Sequence, residues 1–319
     1  MKKNNILILL VSASMIILNC QNDQSISSDF SIILIPDSQK YTESNPDGFY
    51  AQTEWIKSAV KKENIQFVIH LGDITENNTD TEWDIANKAM STLDDAVPFS
   101  VLPGNHDGAL AIRNTAKYNE IFGHARFRGY PWYGGHRGGS NDCNYSFFNY
   151  GKLQFMVLNL VFGPTDEELQ WADEIVRKYK DKRVIVATHG YLYFDDTRLG
   201  EGDLFSPHKK SKALNDGEQM WEKFVRHHDN IFLVVSGHVK GDGTGFLTSF
   251  GKRGNPVHQL LANYQKSPNS GDGWLRILKF KPEANKIQVI AYSPVLNQYN
   301  ENPDHSFEFE YDMRGEKIN

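Results

Sequence analysis

The stretch "FVIHLGDITEN", residues 67–77, runs from an apolar, β-branched segment straight into Gly-Asp. Its first half reads as a buried strand, and Gly72-Asp73 as that strand's carboxyl end. Four other stretches follow the same plan. "FSIILIPDSQ" (30–39) ends in Asp37 and Gln39, and "PFSVLPGNHD" (98–107) in Asn105, His106 and Asp107. "RVIVATHG" (183–190) ends in His189, and "IFLVVSGHVK" (231–240) in His238 and Lys240. Helical patterns separate them near residues 48–62, 80–93 and 218–228, and at "DEELQWADEIVRKY", which has acids in its first turn and cations in its last. This alternation predicts βαβ units and a largely parallel or mixed sheet, whose strand carboxyl ends line a binding crevice. Taken singly, Asp37, Asp73 or "GNHD" fits a turn or a helix cap. Taken together, five strand ends that carry oxygen and imidazole donors point to one metal-binding crevice.

In chain order these pieces resemble the calcineurin-like metallophosphoesterase family, whose pattern runs D-x-H, G-D, G-N-H-D/E, H and G-H-x-H. The resemblance spans residues 35–240, and "GDITEN" and "PGNHD" are its most specific parts. It implies an α/β fold, a four-layer α/β/β/α sandwich of two mixed β-sheets flanked by helices, with a dinuclear metal centre. Asp73 would bridge two divalent ions, with Asn105, His189 and His238 completing one site and Asp37 and Gln39 belonging to the other. Such oxygen and imidazole donors suit Zn, Mn or Fe. His106, oriented by Asp107, would act as proton donor or phosphate-oxygen stabiliser. The implied activity is hydrolysis of a phosphomonoester or phosphodiester, on a small molecule or a headgroup, with a metal-bound hydroxide attacking phosphorus. The competing expectation is a catalytically impaired metal- or phosphate-binding module of the same fold.

Two positions depart from the family pattern, and both belong to the same metal. Gln39 stands where D-x-H has its His, and Lys240 where G-H-x-H has its second His. An amide oxygen can bind a hard cation, but a lysine ammonium offers three donors and no acceptor. Three readings follow for "GHVKGDG", residues 237–243. Asp242 supplies the missing ligand; or Lys240 replaces the charge of the ion or grips a phosphate oxygen; or a weak second ion is held by Asp37, Gln39, Asp73 and water.

The chain has 319 residues, 39% hydrophobic and 12% aromatic, which is ample for a packed core. Lys2 and Lys3, an apolar run at residues 6–18 and then Cys20 read as a signal peptide over residues 1–19. "IILNC" resembles a bacterial lipobox, with Asn19 in place of the usual small residue. The expectation is an exported protein, periplasmic or at the cell surface, anchored to a bacterial membrane through lipidated Cys20. A polar linker over residues 20–29 and one domain over residues 30–319 would follow. Cys143 is the other cysteine, so lipidation of Cys20 leaves no intrachain disulfide. Loss of residues 1–19, which hold two lysines and no acid, takes the net charge from −6 to −8, which argues against a nucleic-acid surface. Residues 246–313 read as further strands, and the loops at 124–142 and 191–216 are expected to wall the pocket. His136 and Arg137, in the glycine-rich part of the first loop, read as a mobile surface segment, with anion binding on a backbone nest the alternative. His70 reads as a packed histidine.

Overall fold

The structure, a computed structural model, describes residues 29–110 and 113–314. The segment expected as a signal peptide, Cys20 and all of the expected linker except Asp29 lie outside the described residues. Among those described, no helix is long and apolar enough to cross a membrane.

Two mixed sheets form the centre. The first contains β1 (Phe30–Ile35), β2 (Ile65–His70), β3 (Phe99–Ser100), β11 (Leu275–Lys281), β12 (Lys286–Ser293), β13 (Gln298–Asn300) and β14 (Phe307–Glu310). Its order is β13-β12-β11-β1-β2-β3, with β14 also on β12; β1, β2 and β3 are parallel, and β11 meets β1 antiparallel. The second contains β4 (Tyr133–His136), β5 (Asn144–Tyr150), β6 (Leu153–Leu160), β7 (Arg183–Thr188), β8 (Ile231–Ser236), β9 (Thr244–Phe250) and β10 (Pro256–Ala262). Its order is β4-β5-β6-β7-β8-β10-β9, parallel from β6 through β8 to β10.

The period-2 alternation of a strand explains the layering. On β1, Ile32 and Leu34 face the other sheet, whereas Ile33 and Ile35 face the helix α2 (Pro46–Ala59). Both faces are covered, so β1 reads as an unbroken apolar run. The helices α3 (Asp80–Ser91) and α4 (Ala116–Phe122) share that outer layer with α2, through Trp83, Met90 and Phe122. On the far side, α6 (Asp166–Lys178) and α8 (Gly217–Lys223) cover the second sheet through Leu169, Val176 and Met220. Capping boxes at Thr79/Glu82, Thr165/Glu168 and Asp216/Gln219 fix where α3, α6 and α8 begin, each just past a loop of the crevice. The result is the expected four-layer arrangement of two mixed sheets flanked by helices.

Local expectations differ from it in three places. A short helix, α1 (Gln39–Ser44), starts directly after "IPDS". The strand expected over "PFSVLPG" pairs only at Phe99–Ser100 and then runs unpaired toward Asn105. The glycine-rich loop is not mobile surface but contains β4, paired with β5, with the His136 ring stacked on His124 at 4.1 Å. Its aromatic residues Trp132 and Tyr133 pack on Phe127, which ties the loop to the body of the protein. A further small helix, α5 (His124–Phe127), carries that phenylalanine, and α7 (Pro207–Lys210) lies within the long loop after β7.

Phe155 on β6 joins the two sheets. Its ring stacks on Phe148 at 4.7 Å within its own sheet and meets Phe30 and Phe280 of the other at 5.8 and 5.7 Å. Phe155→Ala is expected to cost about 3–5 kcal/mol in urea unfolding. Phe250→Ala, at a position that is 67% exposed, is expected to stay within about 0.5 kcal/mol. Equal losses from the two would show that the sheets are not held together at Phe155.

Candidate metal centre

Asp73 follows β2 in the left-handed region, at φ 47°, and this turn aims its buried carboxylate across the crevice. Oδ1 accepts the backbone N–H of His106 at 2.9 Å, and Oδ2 lies 3.1 Å from His189 Nε2. His189 Nδ1 donates to the Leu71 carbonyl at 2.8 Å. That bond fixes the tautomer, so the neutral ring turns the Nε2 lone pair toward a carboxylate. Two acceptors face each other across 3.1 Å, and a cation between them is what the pair requires. Without a metal the cation is a proton. Burial opposes charge on His189, but the Asp73 and Asp37 carboxylates outweigh it and push the imidazole up to about 9. Burial would raise Asp73 in turn, yet His189 holds it well below the usual carboxylate range.

His238 comes in from the end of β8, also in the left-handed region at φ 70°. Its Nε2 donates to the Phe205 carbonyl at 2.8 Å, which leaves Nδ1 free as a ligand. Burial drives this imidazole down to about 3, so it stays neutral, as a metal ligand must be. Ligand atoms of Asp73, His189 and His238 all lie within 4.8 Å of one another. Both imidazoles pack on the Phe162 ring, at 5.7 and 4.8 Å. The Asn105 side-chain oxygen is buried with no hydrogen-bond partner, as is His189 Nε2. Two orphaned acceptors beside a carboxylate and a neutral imidazole fit one divalent cation.

Two glycines of the sequence pattern make this approach possible. A Cβ on Gly104 would stand 2.2 Å from Asp73 Oδ1, and one on Gly237 would stand 2.2 Å from Asp37 Oδ1. Asp107, expected to orient His106, instead clamps two loops together. Its carboxylate accepts from Gly104 N at 2.9 Å, Ile74 N at 3.0 Å, and Thr75 N and Oγ1 at 2.8 and 2.9 Å. Burial, helped by Asp73, pushes that carboxyl up to about 6. Consecutive side chains in this turn diverge, which is why the neighbour in sequence does not reach the histidine. His106 is held by Glu76: Nδ1 donates to the Glu76 carbonyl at 2.8 Å, and the Glu76 carboxylate lies 3.8 Å away.

Of the residues expected at a second ion, Asp37 is engaged with the protein and Gln39 only through its amide nitrogen. Asp37 accepts from His238 N at 3.0 Å, Asn263 Nδ2 at 3.0 Å and Gln265 Nε2 at 3.2 Å. Burial pushes Asp37 up to about 7, against the pull of His189. Gln39 Nε2 donates to Glu76 at 2.7 Å, and its buried Oε1 has no partner. Lys240 lines a cavity of about 320 Å³ together with Asp73, Asn105, His106, His238 and Lys210, closed on the apolar side by Leu110, Phe162, Leu204 and Phe205. Asp242 does not supply the missing ligand. It is exposed, accepts from Thr244 N and lines a separate cavity with Phe194 and Asp304, because the chain turns away after Lys240. His70 is packed as expected, with Nδ1 accepting from Gly72 N and Nε2 donating to Ser38 Oγ. Sequence reasoning missed Glu76, Asn263 and Gln265. Glu76 lies in the opening stretch itself, and the other two follow the end of β10, as the recognised ligands follow other strands.

Comparison with known proteins places this geometry. The profile of the calcineurin-like phosphoesterases matches residues 30–242. The chain belongs to that family. The uncharacterized protein YvnB of Bacillus subtilis (strain 168) is 32% identical over 283 residues, which are 85% of this chain and 20% of that protein. A probable glycerophosphodiester phosphodiesterase, GpdQ, of Arcobacter nitrofigilis is 24% identical over 62% of this chain and 66% of its own length. The chain thus spans a fifth of the first relative and just under two thirds of the second. The fold is similar to that of the purple acid phosphatase PPD1 from yellow lupin seeds, with a TM-score of 0.56 at 14% identity over 90% of this chain and 55% of the lupin chain. Membership of this family implies divalent metal binding, and the donor set around Asp73 fits such an ion.

Gly104→Ala is expected to weaken Mn²⁺ or Zn²⁺ binding by about tenfold or more in calorimetric titration, because the new methyl displaces Asp73. Asp107→Ala, which leaves three buried backbone N–H groups unmatched, is expected to cost about 3 kcal/mol or more in unfolding experiments. Unchanged metal affinity in the first variant, or unchanged stability in the second, contradicts the packing described.

Proposed function

We propose that this protein is a metal-dependent hydrolase of phosphodiesters, working at the crevice around Asp73. The observation that carries the reading is the Asp73–His189 pair, which calls for a cation, at the floor of a cavity that also presents the His106 imidazole. A bound divalent ion would supply acidity to water and positive charge to phosphate oxygens. Asp73, Asn105, His189 and His238 would hold it.

The remaining chemistry belongs to the chain. Lys210 and Lys240 line the cavity with no hydrogen-bond or ion-pair partner among the described residues, and so are free to meet an anion. His106 Nδ1 is committed to the Glu76 carbonyl, so the cavity-facing nitrogen is Nε2, which carries a proton only as the imidazolium. In that form Nε2–H is placed to protonate the departing alkoxide, with the Glu76 carboxylate 3.8 Å from Nδ1 on the other side of the ring. The apolar wall of Leu110, Phe162, Leu204 and Phe205 suits the organic group of either ester, and the resemblance to GpdQ favours a diester. Residues 1–20 support an exported, membrane-anchored setting for this activity.

The test is hydrolysis of bis-p-nitrophenyl phosphate and p-nitrophenyl phosphate by the purified protein, with and without added Mn²⁺ or Zn²⁺. Turnover is expected to favour the diester, to vanish with chelator, and to fall about 10²–10⁴-fold in His106→Ala. Asp73→Asn is expected to abolish it. A correctly folded protein that hydrolyses neither ester with any metal would leave only a binding module.

A further inference from the structure

The family's second metal position is where this chain departs from the pattern, and here the protein has filled its own ligands. Asp37 would be that ion's private carboxylate. Its Oδ2 accepts from the His238 backbone, the Asn263 amide and the Gln265 amide at 3.2, 3.0 and 3.2 Å. Oδ1 takes the same His238 N–H at 3.0 Å and is pressed against Gly237. Oδ2, which accepts three N–H groups, has no lone pair left for a metal, so only Oδ1, which already shares the His238 N–H beside Gly237, keeps one. A divalent ion that took both oxygens, or Oδ2 alone, would have to displace two buried amides, each left without an acceptor, which is costly.

Gln39 adds little for a cation. Its amide nitrogen is tied to Glu76, which also takes Lys40 at 3.0 Å; Gln39 Oε1, buried with no partner, is then the one neutral oxygen it can offer. The fourth corner, a histidine in the family pattern, is Lys240, which has no acceptor atom while charged. The Lys240 side chain lines the same cavity as Asp73, Asn105, His106 and His238. A metal site has therefore been replaced on three sides at once, by donors on Asp37, an amide at Gln39 and a cation at Lys240.

We propose that this centre holds one divalent ion, on Asp73, Asn105, His189 and His238, and that the Lys240 ammonium supplies the second positive charge to the phosphate. The inference rests on the phosphoesterase reading for its substrate, but the ion count stands apart from it. Lys240 is then a substrate-binding residue and not a ligand. The Asn263 and Gln265 amides are positioning groups, which hold Asp37 against the His238 backbone and so fix the turn that presents His238.

The full chain, saturated with Mn²⁺ or Zn²⁺ and freed of loose ion by gel filtration, should carry one ion per chain by plasma mass spectrometry. Two ions per chain, or none, overturns the single-ion centre. Calorimetry with inorganic phosphate on the loaded protein reads the lysine: affinity is expected to fall about tenfold or more in Lys240→Met and to stay within about threefold in Lys240→Arg. The ion count should remain one in both. Undiminished phosphate binding by folded Lys240→Met overturns the part given to Lys240, as does equal loss in Lys240→Arg. A two-ion protein that hydrolyses esters would keep the phosphoesterase reading and lose this inference. A one-ion protein that binds phosphate through Lys240 but hydrolyses neither ester would do the reverse.

Discussion

A carboxylate and an imidazole lone pair buried face to face, Asp73 against His189, form the contact around which the crevice is arranged. Neither group tolerates the other unless a positive charge lies between them, and the protein does not relax the conflict by rotating either one. The Leu71 carbonyl holds His189, and the His106 backbone N–H holds Asp73. Leu71 lies two residues before Asp73 and His106 directly follows Asn105, so the same loops that present the ligands also prevent them from turning away.

That rigidity is drawn from the sheets. Asp73 and His189 sit at the ends of β2 and β7, in different sheets, and their separation is set by the apolar layer that Phe155 anchors between them. Side chains there are close-packed, so a shift of one sheet against the other is resisted by many contacts at once. Asp107 completes the frame from below: a carboxylate joins the loop after β2 to the loop after β3 through backbone donors of both. A charge that would be a liability in a hydrophobic layer is matched by N–H groups that would otherwise be orphaned in the same place.

Most of the fold and the convergence of Asp73, His189 and His238 were legible because the signals are local. A strand ending in Gly-Asp, Gly-Asn-His or Gly-His is written in consecutive residues, and the glycines mark carboxylates pressed against backbone. Non-local contacts were not legible. Asn263 and Gln265 reach Asp37 from the far part of the second sheet, and no spacing in the chain connects them. Glu76 lies within the most specific motif, yet nothing in its spacing distinguishes it from a solvated acid. Asp107 was misread as the group that orients His106, and one of the three readings of "GHVKGDG" fails at Asp242, for one reason: neighbours in a turn diverge, so proximity in sequence says nothing of where a side chain ends. The glycine-rich loop was taken for mobile surface because its composition hides the packing of Trp132 and Tyr133 on Phe127.

Two of the three clustered ligand-bearing residues or their carriers, Asp73 and His238, adopt left-handed backbone that their side chains do not favour. Such conformations persist only when the surroundings over-determine them. Folding has thus already met the conformational cost of arranging the ligands, and an arriving ion finds them in place with little left to order. The free energy of coordination then goes into affinity and selectivity for ion size, not into shaping the chain, which sets this centre apart from small domains that fold only around their metal.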